Sequence, residues 1–401
     1  MIDFEMTPQM KTVREMAHTV ARLEIRPMAL EADRLGDVPD EFARRLKRLG
    51  ISAGSMPKHM GGDQELGKAG DLAKEKTAHR VAIIGAEEIA WGDPAVIVTL
   101  PGPGLGGPPV RFMGTPEQQE RFLGPFRGDD PAYGAYALTE PGAGSDAANI
   151  STTCRREGDH WILNGTKCFI TNGGRALWNV VFATIDKGLG RAGHRAFVVE
   201  KGTPGFRVGK YEKKMGLRAS ETVELVLEDC RVPHENLLGG DELYARATEG
   251  FKGAMKTFDA TRPLVASMAV GLSRASLEIA KDFVRDNYML GRPIQRYRQL
   301  AETLARMQAD VDSARLMVWR AATLGDLEQP NSKEASMCKY FAAEVAQRVT
   351  STTLSILGPQ GLRHNMFAEK LFRDQKVWDI FEGTGQIQRI VISRRLLEVY
   401  R

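Results

Sequence analysis

The chain has 401 residues, 42% of them hydrophobic and 26% charged, with a net charge of +4. That is enough chain for two or three packed cores. The basic residues are interleaved with acids (Arg14-Glu15, Lys74-Glu75-Lys76), which excludes a basic stripe for nucleic acid.

From the N-terminus to about residue 130 the pattern is helical. Thr7-Pro8 sets a cap before a proline at the first helical position, and Val13, Met16, Val20 and Leu23 continue an apolar stripe that Pro27 is expected to stop. A helix over Asp40–Leu49 is expected to end at Gly50, and Thr115-Pro-Glu-Gln118 is a capping box that opens another.

Between residues 131 and 240 short β-rich runs replace the helices: Tyr133–Leu138, Trp161–Leu163, Lys167–Thr171, Asn179–Ile185, Ala196–Glu200 and Thr222–Leu227. Close strands with no helix between them predict an antiparallel sheet or barrel. From 241 to 401 long amphipathic stretches return, such as Leu300, Leu304, Met307, Val311, Ala314 and Met317, and predict a bundle. The fold class is therefore α+β in three parts: a helical domain over 1–130, a β-barrel over 131–240 and a four-helix bundle over 241–401.

No apolar stretch approaches the roughly 18 residues needed to cross a bilayer, and the N-terminus lacks a signal-peptide pattern. The expected compartment is the cytoplasm, with no membrane insertion. The four cysteines form no CxxC pair and read as reduced, and the scattered histidines offer no ligand spacing, so no metal is expected. Two GxGxxG matches, Gly102–Gly107 and Gly188–Gly193, lack the strand-before, helix-after setting of a dinucleotide fingerprint.

The first informative segment is Tyr136-Ala-Leu-Thr-Glu-Pro-Gly-Ala-Gly-Ser-Asp146. A β run delivers a threonine, and a Pro/Gly turn then exposes main-chain N–H groups beside a serine, which suits phosphate or the polar edge of a ring. Glu382 is the second. It is a carboxylate following Trp378, Ile380 and Phe381 and preceding a Gly-Thr turn. Apolar neighbours should raise its pKa toward working pH, as a general base requires.

With these segments, Lys167-Cys-Phe-Ile-Thr-Asn-Gly-Gly174, Met215-Gly-Leu-Arg218, Arg231–Gly239, Phe258-Asp-Ala-Thr-Arg262, Arg373-Asp-Gln-Lys376 and Ile380–Arg389 make the chain resemble the acyl-CoA dehydrogenase family over nearly its whole length. The resemblance implies FAD, an acyl-CoA substrate, a homotetramer and an electron-transfer flavoprotein as acceptor. Tyr136, Leu138, Thr139, Gly144 and Ser145 would line the flavin, with Ser145 also near the CoA chain. Phe169, Ile170 and Thr171 would flank the ring, and Thr384 and Gln386 would contact FAD across a subunit interface. Asp259, Arg262 and Arg394 would meet the CoA moiety. Glu382 would remove the α-proton while the β-hydride moves to flavin N5, giving the trans-2-enoyl-CoA. The neighbour of the substrate arginine, where some members carry the base, is Thr261 and cannot serve.

Some positions depart from the family pattern. Asn287 stands where an arginine usually meets the FAD diphosphate, Ser355 and Pro359 alter a Gln-ahead-of-Gly-Gly segment, and Arg298 precedes Gln299 where a glutamine is usual. Either Arg298 or Arg285 substitutes, or FAD binds less tightly. The apolar Ala95-Val-Ile-Val98 predicts an uncharged acyl chain, and the glycine-rich Pro101–Pro109 segment, if it lines the pocket end, leaves room for a branched or cyclic group. An acyl-CoA oxidase, a non-catalytic partner subunit and a DNA-associated flavoprotein relative are the alternatives. The second would be expected to lack Glu382, and the balanced charge argues against the third.

Overall fold

The computed structural model describes residues 4–52, 76–246, 248–288 and 297–398. Helix α1 (Pro8–Val20) starts as expected, the Met10 N–H donating to the Thr7 hydroxyl at 3.3 Å. Pro27 does not stop it. A single π turn over Ala21–Ile25 lets the Arg26 N–H reach back to Ala21 O, and α2 (Arg26–Leu35) continues to Gly36 at φ 73°. The slip puts Pro27 in the first turn of a new ladder, where a missing N–H costs little. The buried face also differs from the expected stripe. Met10, Ala17, Ala21 and Ile25 are buried, whereas Met16 and Leu23 are exposed. Small residues are needed there because α4 approaches closely: a Cβ on its Gly92 would stand 3.0 Å from Ala21 Cβ. Helix α3 (Asp40–Arg48) is followed by Gly50 at φ 79°, as the sequence indicates.

Helix α4 (Ala78–Gly92) is buried along most of its length and leads into α5 (Pro94–Val98), α6 (Gly107–Met113) and α7 (Pro116–Leu123). The capping box at Thr115 is present with both of its hydrogen bonds. The first glycine motif runs into α6, with Pro108 and Pro109 in its first turn, rather than into a plain loop. The second joins two antiparallel strands. Neither sits between a strand and a helix.

Seven strands form one curled, mostly antiparallel sheet: β1 (Gly134–Ala137), β2 (Thr153–Glu157), β3 (His160–Thr171), β4 (Trp178–Thr184), β5 (His194–Glu200), β6 (Phe206–Tyr211) and β7 (Thr222–Pro233). β4 is central. It pairs with β5 along one edge, while its other edge takes β1 in parallel and touches β2 at Thr153↔Thr184. From β2 the order runs through β3 and β7 to β6, all antiparallel. Two predicted runs are one strand: β3 passes through register shifts at Leu163/Gly165 and Lys167/Ile170. Gly165, at φ 153°, is required because a Cβ there would lie 2.5 Å from Thr152 Oγ1. Strands alternate between two cores. Leu138, Val180, Phe182, Ala196 and Val198 pack with Val110, Phe122 and Ala254, and Ala137, Val181, Ala183, Phe197 and Val199 pack with Trp161, Val223 and Leu225.

After α8 (Gly240–Tyr244) the helices α9 (Glu249–Asn287), α10 (Arg298–Asp326), α11 (Ser332–Leu357), α12 (Phe367–Asp374) and α13 (Gly385–Glu398) complete the chain. α9 packs against α4, α10 and α11, so N- and C-terminal helices share one core. Two buried ionic clusters tie these parts together. Arg274 on α9 bonds Glu87 and Glu88 of α4, and Arg315 on α10 also reaches Glu87. Lys370 on α12 bonds Asp93 and Asp374 at 2.6 Å each, and Asp374 accepts the Leu217 N–H from the sheet region. All four cysteines are buried and free. Among the described residues no helix is long and apolar enough to cross a membrane.

Candidate active site

Glu382 stands where the chain turns between the Gln375–Asp379 3-10 turn and α13. It is at φ 52° and is followed by Gly383 at φ 93°. Two successive left-handed residues reverse the chain, and only glycine fits second: a Cβ on Gly383 would lie 2.5 Å from Gln388 Nε2. Buried Gln388 donates to the carbonyls of Glu382 (3.3 Å) and Gly383 (3.0 Å), and Lys339 on α11 donates to Gly383 O at 2.6 Å. Upstream, Trp378 is fixed on α9 by Nε1 donating to Val265 O at 2.9 Å, with Phe381 packed edge-on against it.

The carboxylate faces α9, where the Thr261 hydroxyl donates to Glu382 Oε2 at 2.6 Å. Burial pushes the Glu382 pKa above the usual carboxylate value, while the Thr261 hydrogen bond and the cations of Lys339 and Arg262 oppose that rise. Thr261 is therefore not a base but a partner of one. From the sheet, Tyr136 presents a buried hydroxyl with no hydrogen-bond partner among the described residues, its ring held between Phe182 and Phe258. Burial, and secondarily the negative charge of Glu382, raises its pKa well above that of an ordinary phenol. A carboxylate from the bundle side and an unsatisfied phenol from the sheet thus lie near enough to feel each other.

The loop after β1 is fixed from below by a buried ion pair. Lys167 Nζ lies 2.7 Å from Glu140 Oε1 and 3.2 Å from Leu138 O, and Glu140 also accepts the N–H groups of Ser151 and Thr152. Burial lowers the Lys167 pKa to about 8. Thr139 O accepts the Cys168 N–H, so Leu138 and Thr139 are locked to β3. Gly144 and Ser145 project outward, and a Cβ on Gly142 or Gly144 would meet nothing within 4 Å. Among the described residues nothing requires glycine there. A loop of exposed N–H groups stripped of side chains, beside the orphaned Tyr136 hydroxyl, fits a flavin dinucleotide laid against it.

Thr384 comes to within 3.5 Å of Ser145, Oγ to Oγ1, while also capping α13 by accepting the Ile387 N–H. Gln386 is exposed. Phe169 is 65% exposed at φ 58°, on the β3 register shift, and Thr171 is half-buried. The Ile170 side chain is buried in the sheet core, so only its main chain faces outward. Arg262 is buried beside Glu382, while the Asp259 side chain lies outside the described residues. Arg394 is exposed far along α13 and is not brought to Glu382.

Both candidate replacements for the diphosphate arginine are engaged locally: Arg298 with Glu302, and Arg285 with Asp282 and Asp286. Asn287 donates to Phe283 O. Of the expected acyl-pocket segment, Ala95, Val96 and Ile97 are buried in the helical core and Val98 is half-buried. Nor does the glycine-rich Pro101–Pro109 segment leave room for a bulky group. A Cβ on Gly106 would lie 2.6 Å from Ala135 O, and one on Gly134 would lie 2.9 Å from Pro103 O, so the missing side chains are replaced by sheet backbone.

Sequence reasoning missed Lys339, Gln388 and the Glu140–Lys167 pair. The available signal was a lysine amid small residues, Ala335, Cys338, Ala342 and Ala343, on the buried face of a helix.

Three family models match the chain: acyl-CoA dehydrogenase N-terminal domain over residues 7–128, middle domain over 135–230 and C-terminal domain over 248–397. The short-chain specific acyl-CoA dehydrogenase of Rattus norvegicus mitochondria is 39% identical over 391 residues, which is 97% of this chain and 90% of that protein. The solved structure of butyryl-CoA dehydrogenase from Megasphaera elsdenii is 35% identical with a TM-score of 0.89, covering 99% of this chain and 100% of that one. A chain from a structure described as the electron transferring flavoprotein of Acidaminococcus fermentans is 37% identical with a TM-score of 0.88, again over 99% and 100%.

Proposed function

Because the chain belongs to the acyl-CoA dehydrogenase family, and is by that an FAD-dependent oxidoreductase, we propose that Glu382 is its catalytic base and that it acts on a short, uncharged acyl-CoA. The observation that carries the first part is the half-buried Glu382, its carboxylate held by Thr261 and raised in pKa by desolvation, near the orphaned Tyr136 hydroxyl. A carboxylate whose pKa is raised takes up a proton more readily than an ordinary one, as a general base requires.

FAD, when bound, supplies the hydride acceptor. The chain's residues do the rest. Tyr136, Leu138, Thr139, Gly144 and Ser145 form the bed for the ring and its phosphates, with Phe169, Thr171 and the Ile170 main chain at its edge and Thr384 and Gln386 closing from the bundle. Arg262 and Asp259 orient the CoA, with Arg394 a weaker contact. Glu382 takes the α-proton onto its carboxylate as the β-hydride leaves, and the Glu382 main-chain N–H is placed in the same proposal as a donor to the thioester carbonyl, where charge develops.

The short acyl chain rests on the relatives, one named as short-chain specific and one as butyryl-CoA dehydrogenase. An uncharged tail rests on the same relatives, since a butyryl group carries no distal charge. The likeness to the Acidaminococcus chain favours an electron-transfer flavoprotein as acceptor. A homotetramer in the cytoplasm, each subunit divided into helical (1–130), sheet (131–240) and bundle (241–401) domains, completes the proposal.

The test is anaerobic mixing of wild type and Glu382→Gln with butyryl-CoA, following flavin absorbance. The variant should keep FAD and bind ligand but reduce its flavin slower by more than the roughly 10²–10⁴ typical of losing a general base, since both bond cleavages stall together. Near wild-type reduction would refute Glu382 as the base.

A further inference from the structure

Among the described residues three lysines are fully buried: Lys167, Lys339 and Lys370. Two are neutralised by contact, Lys167 with Glu140 at 2.7 Å and Lys370 with Asp93 and Asp374 at 2.6 Å. Removing an ammonium from water is costly, and a carboxylate in contact is the usual compensation. Lys339 does something else. Its hydrogen bond goes to a neutral carbonyl, that of Gly383, at 2.6 Å. That carbonyl belongs to the residue after Glu382, inside the left-handed turn that aims the carboxylate.

We propose that Lys339 is a positioning residue for proton abstraction: its ammonium fixes the Glu382–Gly383 turn through the Gly383 carbonyl and, acting through space, keeps Glu382 ionised where desolvation disfavours charge. The proposal rests on Glu382 being the base.

The charged and titratable groups around this pair come from several elements. Thr261 and Arg262 face Glu382 from α9, Tyr136 faces it from β1, and Lys339 feels Glu382, Asp379 and Arg262. Desolvation lowers the Lys339 pKa to about 8, with Glu382 and Asp379 opposing that fall. Below about pH 8 the lysine is therefore cationic and favours the carboxylate form of Glu382, and above it that help is withdrawn. Gln388 also holds the turn but carries no charge, so it can set the geometry and not the ionisation.

The experiment compares FAD-loaded wild type, Lys339→Met and Lys339→Arg by anaerobic flavin reduction with butyryl-CoA across pH, and by difference infrared titration of the Glu382 carboxyl with Glu382→Gln as blank. The wild-type rate should rise as Glu382 ionises and fall above about pH 8. In Lys339→Met the acid limb, and the infrared transition, should move up by about one pH unit. Lys339→Arg should return the acid limb toward wild type and abolish the alkaline fall, because guanidinium does not titrate there. An acid limb unmoved in a folded, FAD-loaded Lys339→Met protein overturns the proposal. Should that variant fail to fold, an alkaline fall retained by Lys339→Arg overturns it instead. Either result alongside an inactive Glu382→Gln removes only the role of Lys339, whereas an active Glu382→Gln removes the base itself.

Discussion

The Thr261 hydroxyl lies 2.6 Å from Glu382 Oε2 and 3.1 Å from the Thr257 carbonyl one helical turn back. One hydroxyl proton cannot serve both acceptors. Donated to Glu382 it stabilises the carboxylate, and donated to Thr257 it leaves the base more avid for a proton. Thr261→Val removes the choice. A hydrogen bond to a charged group is worth about 1.5–3 kcal/mol, so the acid limb of the flavin-reduction profile should move up by about one to two pH units, with Thr261→Ser close to wild type. An unmoved limb in Thr261→Val would show that the hydroxyl does not bear on the base.

Glu382 should also set a stability cost. Its folded-state pKa lies above that of an unfolded glutamate, so the protonated side chain favours the fold. That contribution is complete below the unfolded pKa and is lost as pH rises through the folded one. Glu382→Gln cannot ionise, so FAD-loaded variant and wild type should melt alike near pH 4.5, with the variant higher by a few degrees at pH 7.5. Thermal unfolding at the two pH values checks it, and a gap that narrows with rising pH would contradict the assignment.

Lys370→Met strands two carboxylates. Asp93 and Asp374 both lie 2.6 Å from the ammonium that neutralises them, and breaking such a buried set costs about 3–5 kcal/mol. Burial already raises the Asp93 pKa, and loss of the lysine raises it further, so protonation at lower pH relieves the defect. The variant should give little folded protein at pH 7.5 and recover part of its denaturation midpoint near pH 5.5. Denaturant melts at the two values are the measurement.

Glu140→Gln leaves Lys167 buried without its counter-charge and loosens the loop that runs to Ser145. Stability should fall by about 3–5 kcal/mol, and bound FAD, read from the ratio of flavin to protein absorbance, should fall with it. Glu140→Gln combined with Lys167→Met should be milder than Glu140→Gln alone, because no unpaired charge remains. A double variant worse than the single would mean that the pair matters for packing rather than charge.

On substrates, butyryl-CoA should reduce the flavin faster than glutaryl-CoA. A distal carboxylate buried without a counter-charge would cost several kcal/mol, which at about 1.4 kcal/mol per tenfold is a preference of at least a hundredfold. An anaerobic panel of acyl-CoA esters measures this, and glutaryl-CoA as the best substrate would reverse the conclusion.

What was legible in the sequence was what is local. Thr115 to Gln118 specify their own capping box, Gly50 its own helix end, and Glu382 stands out by its neighbours. What was missed depends on partners far along the chain. β2 (Thr153–Glu157) and β6 (Phe206–Tyr211) did not read as strands because their outer faces are charged or exposed, and their pairing to β3 and β7 holds them. Met16 and Leu23 read as core because nothing nearby reveals which face α4 covers, and it covers that of Met10, Ala17, Ala21 and Ile25. Lys339 reads as a surface lysine until the turn at Gly383 is folded against it.

The contact between Ser145 and Thr384 joins residues 239 apart in the chain. Closing a loop of that length costs about 5 kcal/mol of chain entropy, and the single contact cannot repay it, so the packing of sheet and bundle must hold the two residues together. The sheet can complete its strands and the bundle its helices while the gap between them is still open. A chain caught at that stage has neither an aimed carboxylate nor a closed bed for the flavin. The aimed carboxylate and the flavin bed therefore depend on one event, the docking of sheet on bundle.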